Sequence, residues 1–247
     1  PSFREAVRAA MAKERGQSAG DPWCLGYFVD NELSWGSELS LALAALASPP
    51  DQPAKQAFVT DLRARHGSIE ALNAAWGTQH ASWDALLQHR GKPDEQRARA
   101  DLEAFASRLA DTYFRTCREA VKEVAPRQLY LGCRFAWSHP AAIRACDDVA
   151  DVVSFNIYRP LVDCAAWTGK LKKPVIIGEF HFGALDRGML HTGLVPTADQ
   201  ADRAAHFKRY VQSVADCPSM VGCHWFQYVD EPLTGRVYDG ENYNIGL

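Results

Sequence analysis

Apolar runs alternate along this chain with segments whose apolar residues recur at helical spacing. Five short apolar runs predict β-strands, at residues 24–29, 129–135, 152–156, 175–180 and 220–227. Helical periodicity, caps and breakers predict helices at residues 3–13, 39–47, 53–66, 68–76, 82–88, 94–124, 140–148, 163–170 and 198–215. Because strands that alternate with helices pair in parallel as βαβ units, the pattern predicts an α/β fold.

Polar residues gather just past the carboxyl ends of the predicted strands. Asn31 and Glu32 follow the first strand, and Glu179 lies at the end of the fourth. A βα barrel holds its reactive groups at that rim, and an open doubly wound sheet does the same. The sequence contains neither GxGxxG nor GxxxxGK[ST], which removes the commonest reason for a nucleotide-binding sheet. The pattern therefore favours the barrel.

Composition and charge give no support for nucleic acid or a membrane as the binding partner. The 247 residues are 47% apolar and carry a net charge of −3, so no electrostatic case exists for nucleic acid or an anionic membrane. The apolar run LALAALA (41–47) is far shorter than the roughly 18 residues that suggest a membrane span. No signal peptide is visible, but the chain begins with Pro1, so we leave an upstream signal open.

The seven cysteines show no zinc-ligand spacing. Cys24, Cys133 and Cys223 lie inside apolar strand-like runs, where a cysteine usually acts as a small buried hydrophobe. We therefore expect no disulfide framework, no metal site and no cofactor.

Glu32 and Glu179 are the candidate catalytic pair. Glycosidic bond cleavage needs one carboxyl group to protonate the leaving oxygen and another to attack the sugar or activate water. Parallel barrel strands deliver both groups to one rim although they are far apart in sequence. The alternative is that each is an ordinary solvated acid at the end of a strand.

Other side chains near these strand ends suit a sugar site. Tyr158 could donate a hydrogen bond that keeps one carboxylate ionised. Arg134 and Asn156 are candidate substrate-binding residues, or else rim polar groups that pair with neighbouring acids. The flat apolar faces that sugars pack on could come from three tryptophans, which are Trp35, Trp137 and Trp225. Trp225 is equally suited to a place in the core.

These segments resemble the barrel clan of retaining glycoside hydrolases. The clan features are a strand ending in Asn-Glu, a later strand ending in Glu, a Tyr after the strand between them and a Trp on the last strand. GYFVDNELSWG (26–36) and GEFHFGALDRGMLHTGL (178–194) resemble the acid/base and nucleophile segments of family 50 β-agarases. LRARHGSIEALNAAWGT (62–78) resembles the insert after the fourth strand in that family and in family 42 β-galactosidases.

The resemblance implies a role for each matching residue. Glu32 would be the acid/base and Glu179 the nucleophile of a retaining mechanism. Asn31 would bind the 2-hydroxyl of the sugar being cleaved, Tyr158 would orient Glu179, and Trp225 would floor the same subsite. The sugar-binding loop would be shaped by His181, Asp186, Arg187 and His191.

The resemblance also implies an incomplete (β/α)8 TIM-type barrel. In the clan the Asn-Glu strand is the fourth of eight, and only about 20 residues precede it here, so we expect strands four to eight without the N-terminal strands. We expect residues 1–247 to be one partial catalytic barrel domain with a helical insert at about 37–93.

The function expected from these features is that of a retaining β-agarase. Its substrate would be the β-1,4 galactosidic linkages of agarose or neoagaro-oligosaccharides, and an extracellular or periplasmic parent enzyme would follow from that substrate alone. Alternatives are a β-galactosidase for other β-galactosides, a non-catalytic sugar-binding or inactive fragment, and a metal-dependent hydrolase using His181, His191 and His224. The sequence makes no prediction of oligomeric state.

Overall fold

A computed structural model describes residues 2–137, 139–166, 169–188 and 190–247. The helices are α1 (Phe3–Ala12), α2 (Ser40–Ala47), α3 (Pro53–His66), α4 (Ile69–Trp76), α5 (Trp83–Gln88), α6 (Glu95–Val124), α7 (Pro140–Val149) and α8 (Gln200–Ala215). The strands are β1 (Gly26–Tyr27), β2 (Leu129–Tyr130), β3 (Val153–Asn156), β4 (Val175–Phe180) and β5 (Met220–Trp225). A short 3-10 helix spans Cys164–Ala166.

The chain divides into two compact units. The first unit extends through Leu33 and continues over Cys117–Ala136 and Asp147–Leu247, and the second comprises Ser34–Thr116 and Trp137–Cys146. All five strands belong to the first unit, whereas α2 to α5 belong to the second.

The strands of the first unit pair in parallel. β1 pairs with β2, and β3, β4 and β5 form a second sheet in that order. A parallel bridge between Phe135 and Phe155 connects the segment that follows β2 to β3. The described residues thus form an α/β arrangement of parallel strands with no closed barrel, and the carboxyl ends of the strands point the same way.

Burial explains why the strand sequences are almost continuously apolar. Every residue of β3 and β4 is buried, as expected for parallel strands covered on both faces. One cover is α8, where the Tyr210 ring stacks on Phe180 of β4 with centroids 4.1 Å apart. The Tyr210 hydroxyl also donates to the Ile157 carbonyl at 2.8 Å, which satisfies a polar group that burial would otherwise penalise.

The second unit has a helical core of its own. The Phe58 and Phe105 rings stack in parallel with centroids 4.1 Å apart. Nearby, buried Asp101 accepts hydrogen bonds from Arg65 at 2.9 Å and from the Trp76 indole at 2.8 Å. Helices this short are only marginally stable alone, so their stability comes from packing against this aromatic core. The buried carboxylate of Asp101 is hydrogen-bonded and therefore does not destabilise the core.

The predicted elements occur where the sequence pattern placed them, with two differences. The predicted strands 24–29 and 129–135 pair as strand over only two residues each, in β1 and β2. The predicted helix 163–170 is a 3-10 turn over Cys164–Ala166, and residues 167 and 168 lie outside the described ranges.

The expectation of no disulfide framework meets one exception, since Cys164 and Cys217 form a disulfide. Cys24, Cys133 and Cys223 take no part in it. None of the helices in the described ranges is both long enough and apolar enough to cross a bilayer.

Candidate active site

Glu32 follows β1 in an unusual backbone conformation. Its φ is 51°, in the left-handed region that residues with a side chain rarely adopt. Its N–H donates to the carbonyls of Cys133 and Arg134 at 3.3 and 3.2 Å, which fixes the turn against the neighbouring chain.

Backbone strain is concentrated around this turn. The non-glycine residues with positive φ in the described part of the chain are Asp30 (62°), Glu32 (51°) and Arg134 (49°). Such conformations cost on the order of 1–3 kcal/mol each and cluster where a side chain must be aimed at a site. The strain therefore marks the ends of β1 and β2 as a functional candidate, independently of the residue types there.

Asn156 connects Glu32 to the strand that carries Glu179. The Asn156 amide nitrogen donates to Glu32 Oε1 at 2.7 Å and to Asn31 Oδ1 at 3.2 Å. In the sheet, Asn156 at the end of β3 is the register partner of Glu179 on β4, and the Ile157 N–H donates to the Glu179 carbonyl at 3.0 Å. Both carboxylates thus belong to one network at the strand ends.

Donors hold both oxygens of the Glu179 carboxylate. Arg134 Nη2 lies 3.0 Å from Oε1, and the Tyr158 hydroxyl donates to Oε2 at 2.6 Å. Glu179 is only 5% exposed, whereas its partners Arg134 and Tyr158 are partly exposed. Gly178 makes the arrangement possible, because a Cβ there would lie 2.7 Å from both Arg134 Cδ and Asn156 Oδ1.

Burial and its partners act on the Glu179 pKa in opposite directions. Desolvation raises the pKa above the ordinary glutamate value, and the nearby Glu32 charge raises it further. The Tyr158 hydrogen bond and the Arg134 charge lower it, but the net direction is upward. Burial and the Glu179 charge also raise the pKa of Tyr158, which keeps its hydroxyl protonated as a donor.

Tyr158→Phe should raise the Glu179 pKa further. The lost hydrogen bond to a charged acceptor is worth about 1.5–3 kcal/mol, which corresponds to about 1–2 pH units. A ¹³C NMR titration of the Glu179 carboxyl group would measure the change. Tyr210→Phe is the matched control, because that hydroxyl binds the Ile157 carbonyl instead. An unchanged Glu179 pKa in Tyr158→Phe would contradict the assignment.

His181 lies next to Tyr158, and both of its ring nitrogens form hydrogen bonds with backbone groups. Its Nδ1 donates to the Phe226 carbonyl at 3.1 Å, and its Nε2 accepts the Leu194 N–H at 2.8 Å. Its ring packs against Tyr158 with centroids 4.7 Å apart. Burial lowers the His181 pKa to about 4. The imidazole is therefore neutral and ties the 182–194 loop to the end of β5 rather than offering a nitrogen to a ligand.

The structure does not bring Trp225 to the two glutamates. Successive strand residues face opposite sides of a sheet, and His224 contacts Phe28 at a ring distance of 5.9 Å. Trp225 faces the α8 side, with its ring 5.2 Å from Phe180 and 5.4 Å from Phe207. Trp225 is only partly buried, so the core alternative does not describe it, and its role as a sugar platform stays a prediction.

Three further candidates also lie elsewhere. Asp186 is exposed and accepts the Gln200 N–H at 3.3 Å at the start of α8. His191 packs on Tyr243 at 4.9 Å and accepts the Gly193 N–H at 3.0 Å. Trp35 is buried in the second unit, stacked on Phe114. Asp186 and His191 lie in the loop after β4, but neither joins the carboxylate network, and their part in sugar binding stays a prediction.

Two charged residues near the site were missed from the sequence. Arg236 lowers the pKa of Glu179, and Glu241 raises the pKa of Tyr158, so the segment after β5 lies within electrostatic range of both. Arg236 forms ion pairs with Asp239 and Glu241. The sequence signal for these residues is the cluster of charged side chains in DEPLTGRVYDGEN (230–242). Such a cluster is also typical of an ordinary surface loop, so it does not single out a functional segment.

The described residues offer no group of three or more His, Cys, Asp or Glu side chains able to hold a metal ion. Among the proposed histidine ligands, His181 already uses both ring nitrogens on backbone groups. The geometry therefore favours carboxylate chemistry over the metal-dependent alternative. Glu179 is a buried carboxylate held by hydrogen-bond donors, and Asn156 links it to the more exposed carboxylate of Glu32. Two carboxylates arranged in this way can act as a nucleophile and as a general acid–base.

Known proteins resemble this chain over its whole length. No protein-family model matches it. It is 40% identical over 263 residues to β-agarase B of Vibrio sp. (strain JT0107), an alignment that covers 100% of this chain and 27% of the agarase. β-Agarase A of the same strain is 42% identical, with 97% of this chain and 26% of the agarase covered. The chain thus spans about a quarter of the length of these relatives.

Solved structures agree with the sequence comparison. The agarase AgWH50C superposes with a TM-score of 0.93 at 41% identity, over 100% of this chain and 37% of that one. An exo-β-agarase gives a TM-score of 0.92 at 41% identity, over 99% of this chain and 34% of that one. By sequence and by fold the chain is therefore similar to one part of the β-agarases of glycoside hydrolase family 50.

Proposed function

We propose that this chain carries the catalytic face of a retaining β-agarase that cleaves β-1,4 galactosidic linkages of agarose or neoagaro-oligosaccharides. The observation that carries the proposal is the single network in which Asn156 joins Glu32 to the strand bearing Glu179. Similarity to enzymes named β-agarase supports the substrate class.

The contacts suggest distinct roles for the two acids. Glu179 meets only donors, which suits a carboxylate that attacks the anomeric carbon. Glu32 is less buried and accepts from Asn156 through Oε1, which leaves its other oxygen for a proton. Glu32 would give that proton to the departing oxygen as the glycosidic bond breaks and the ester to Glu179 forms. It would then take a proton from the water that hydrolyses the ester.

Neighbouring residues would position the sugar and the acids. Asn31 and Asn156 present amide groups beside Glu32 that suit sugar hydroxyls, and Arg134 and Tyr158 orient Glu179. The parallel strand order, with a bridge from the line of β2 to β3, supports five consecutive strands of a (β/α)8 barrel. On this proposal residues 1–247 form a partial catalytic barrel domain, and about 37–93 are its helical insert.

A covalent trap tests the function directly. A 2-deoxy-2-fluoro β-galactoside with a good leaving group should add one fluorosugar to the peptide that contains Glu179, because the fluorine slows hydrolysis of the ester. Mass spectrometry of the digested protein would locate the label. NMR of neoagaro-oligosaccharide digestion should show the β anomer first. An α anomer first, or a label on another residue, would refute the mechanism. A folded chain that binds sugar without turnover would favour the non-catalytic alternative.

A further inference from the structure

The ring of Phe28, directly after β1, faces the arginine that holds Glu179. The guanidinium carbon of Arg134 lies 5.4 Å from the centre of the Phe28 ring. A cation within roughly 6 Å of the face of an aromatic ring is attracted to it. The same guanidinium places Nη2 3.0 Å from Glu179 Oε1. Ring, cation and carboxylate therefore form a row, and all three side chains belong to the first unit.

Polar contacts alone do not fix the Arg134 guanidinium. Its Nε is buried and has no hydrogen-bond partner among the described residues. Its one ion pair in the described part of the chain joins Nη2 to Glu179. Because a guanidinium is a planar fork with five N–H donors, a contact at one nitrogen leaves the plane free to rotate about it. The Phe28 ring restrains the group on a side where it has no polar partner.

The remainder of the Arg134 residue is held by other means. Its backbone N–H donates to Ser154 Oγ at 2.9 Å, at a φ of 49°. Its stem lies against Gly178, where a Cβ would come 2.7 Å from Arg134 Cδ and 2.9 Å from Cγ. Backbone and stem thus direct the side chain toward Glu179, which leaves the position of the charged end to Phe28.

The Phe28 ring is itself held in place. It packs against three buried apolar residues, Leu131, Val152 and Ile176. His224 on β5 meets the Phe28 ring at right angles, with ring centres 5.9 Å apart. Burial and the Arg134 charge lower the pKa of His224, so its imidazole is neutral at pH 7 and does not compete with Arg134 for the ring. The ring can therefore act as a fixed support.

We propose that Phe28 is a positioning residue for the nucleophile, because the face of its ring holds the Arg134 guanidinium against the Glu179 carboxylate. The role of nucleophile rests on the proposed function, whereas the contact between ring, guanidinium and carboxylate does not. A leucine would satisfy the apolar packing at this position but offers no aromatic face to a cation. Bulk and aromatic face can therefore be tested separately.

Phe28→Leu keeps apolar packing and removes the ring face. The Glu179 pKa should then rise by about 0.5–1 pH unit, a part of the 1–3 units by which a nearby opposite charge lowers a carboxyl pKa. A ¹³C NMR titration of the Glu179 carboxyl group would measure the change. Phe28→Tyr keeps the face and should keep the parent pKa. Trp83→Leu removes the contact between Arg63 and the Trp83 ring in the second unit, so this matched control should leave the Glu179 pKa unchanged.

The pH profile of hydrolysis is a second readout, which a merely structural role would not move. Because Glu179 must be ionised to attack, the acid limb of kcat/KM should move to higher pH in Phe28→Leu by the change in the Glu179 pKa. In Phe28→Tyr the limb should stay in place. Tyr158, Glu32 and Arg236, which also act on the Glu179 pKa, are unchanged in both variants.

An unchanged Glu179 pKa in folded Phe28→Leu, or an equal rise in Phe28→Tyr, would overturn the proposal. If Phe28→Leu does not fold, the parent chain decides. There the Phe28 ring current should shift the Arg134 Nε proton upfield in NMR spectra, and an ordinary arginine shift would overturn the contact. The expected pKa changes without a fluorosugar label on Glu179 in the parent chain would refute the proposed function and still support the Phe28 contact.

Discussion

Glu179→Ala is expected to reduce hydrolysis of neoagaro-oligosaccharides at least about 10⁴-fold, because removal of a nucleophile costs on that order. Arg134 and Tyr158 hold the Glu179 carboxylate and no other described carboxylate, so none is placed to replace it as the nucleophile. Glu32→Ala should cost about 10²–10⁴-fold, the range of general acid catalysis. The rates would be measured with purified chain by reducing-sugar release.

Azide distinguishes the two variants by the stereochemistry of the product. In Glu32→Ala, a substrate with a good leaving group still forms the ester to Glu179, and azide then attacks from the opposite face to give the β-azide. In Glu179→Ala no ester forms, and azide attacks the substrate directly to give the α-azide. Glu119→Ala, an exposed acid that pairs with Arg4 on α1, is the control and should keep full activity. The same azide from both variants would show that the assigned roles are wrong.

His181 should make the fold sensitive to acid. Its pKa is about 4 in the folded chain, against 6.5 for an ordinary histidine. Because the folded-state pKa is lowered, the contribution of His181 to stability is complete above pH 6.5 and is lost as the pH falls toward 4. At 1.36 kcal/mol per pH unit the loss in free energy of unfolding is about 3 kcal/mol.

Glutamine at position 181 tests this directly. Its amide can still donate to the Phe226 carbonyl and accept the Leu194 N–H, but it does not titrate. Urea unfolding at several pH values between 7 and 4 should show the steep loss in the parent chain and a much flatter profile in His181→Gln. An equal slope in parent and His181→Gln would mean that other groups set the acid sensitivity.

The helices were predictable because their signals are local. The predicted 53–66 coincides with α3, where Pro53 begins the helix and Gly67 ends it. The first two strands were overestimated for a reason that hydrophobic pattern does not encode. Gly132 and Arg134 have positive φ, which interrupts the extended backbone after two paired residues.

The sequence predicts those residues of the candidate site that lie at the carboxyl ends of the strands. Glu32, Arg134, Asn156, Tyr158 and Glu179 are brought together because parallel strands end at one rim. The resemblance assigns Trp225 to the sugar, although an aromatic residue on a strand can serve either face, so this role stays a prediction. The sequence does not reveal which face Trp225 occupies, because that depends on the pairing of β4 with β5. In the structure this pairing places Trp225 beside Phe180, on the side of the sheet that α8 covers.

The left-handed backbone at Asp30, Glu32 and Arg134 has a consequence for protein engineering. Glycine adopts such conformations without steric cost, so each of these positions would tolerate or prefer it on backbone grounds alone. A library screened only for thermal resistance should therefore accumulate glycine there. Its most robust members would have lost the Glu32 carboxylate or the Arg134 guanidinium, so any such screen of this chain needs a turnover assay at every round.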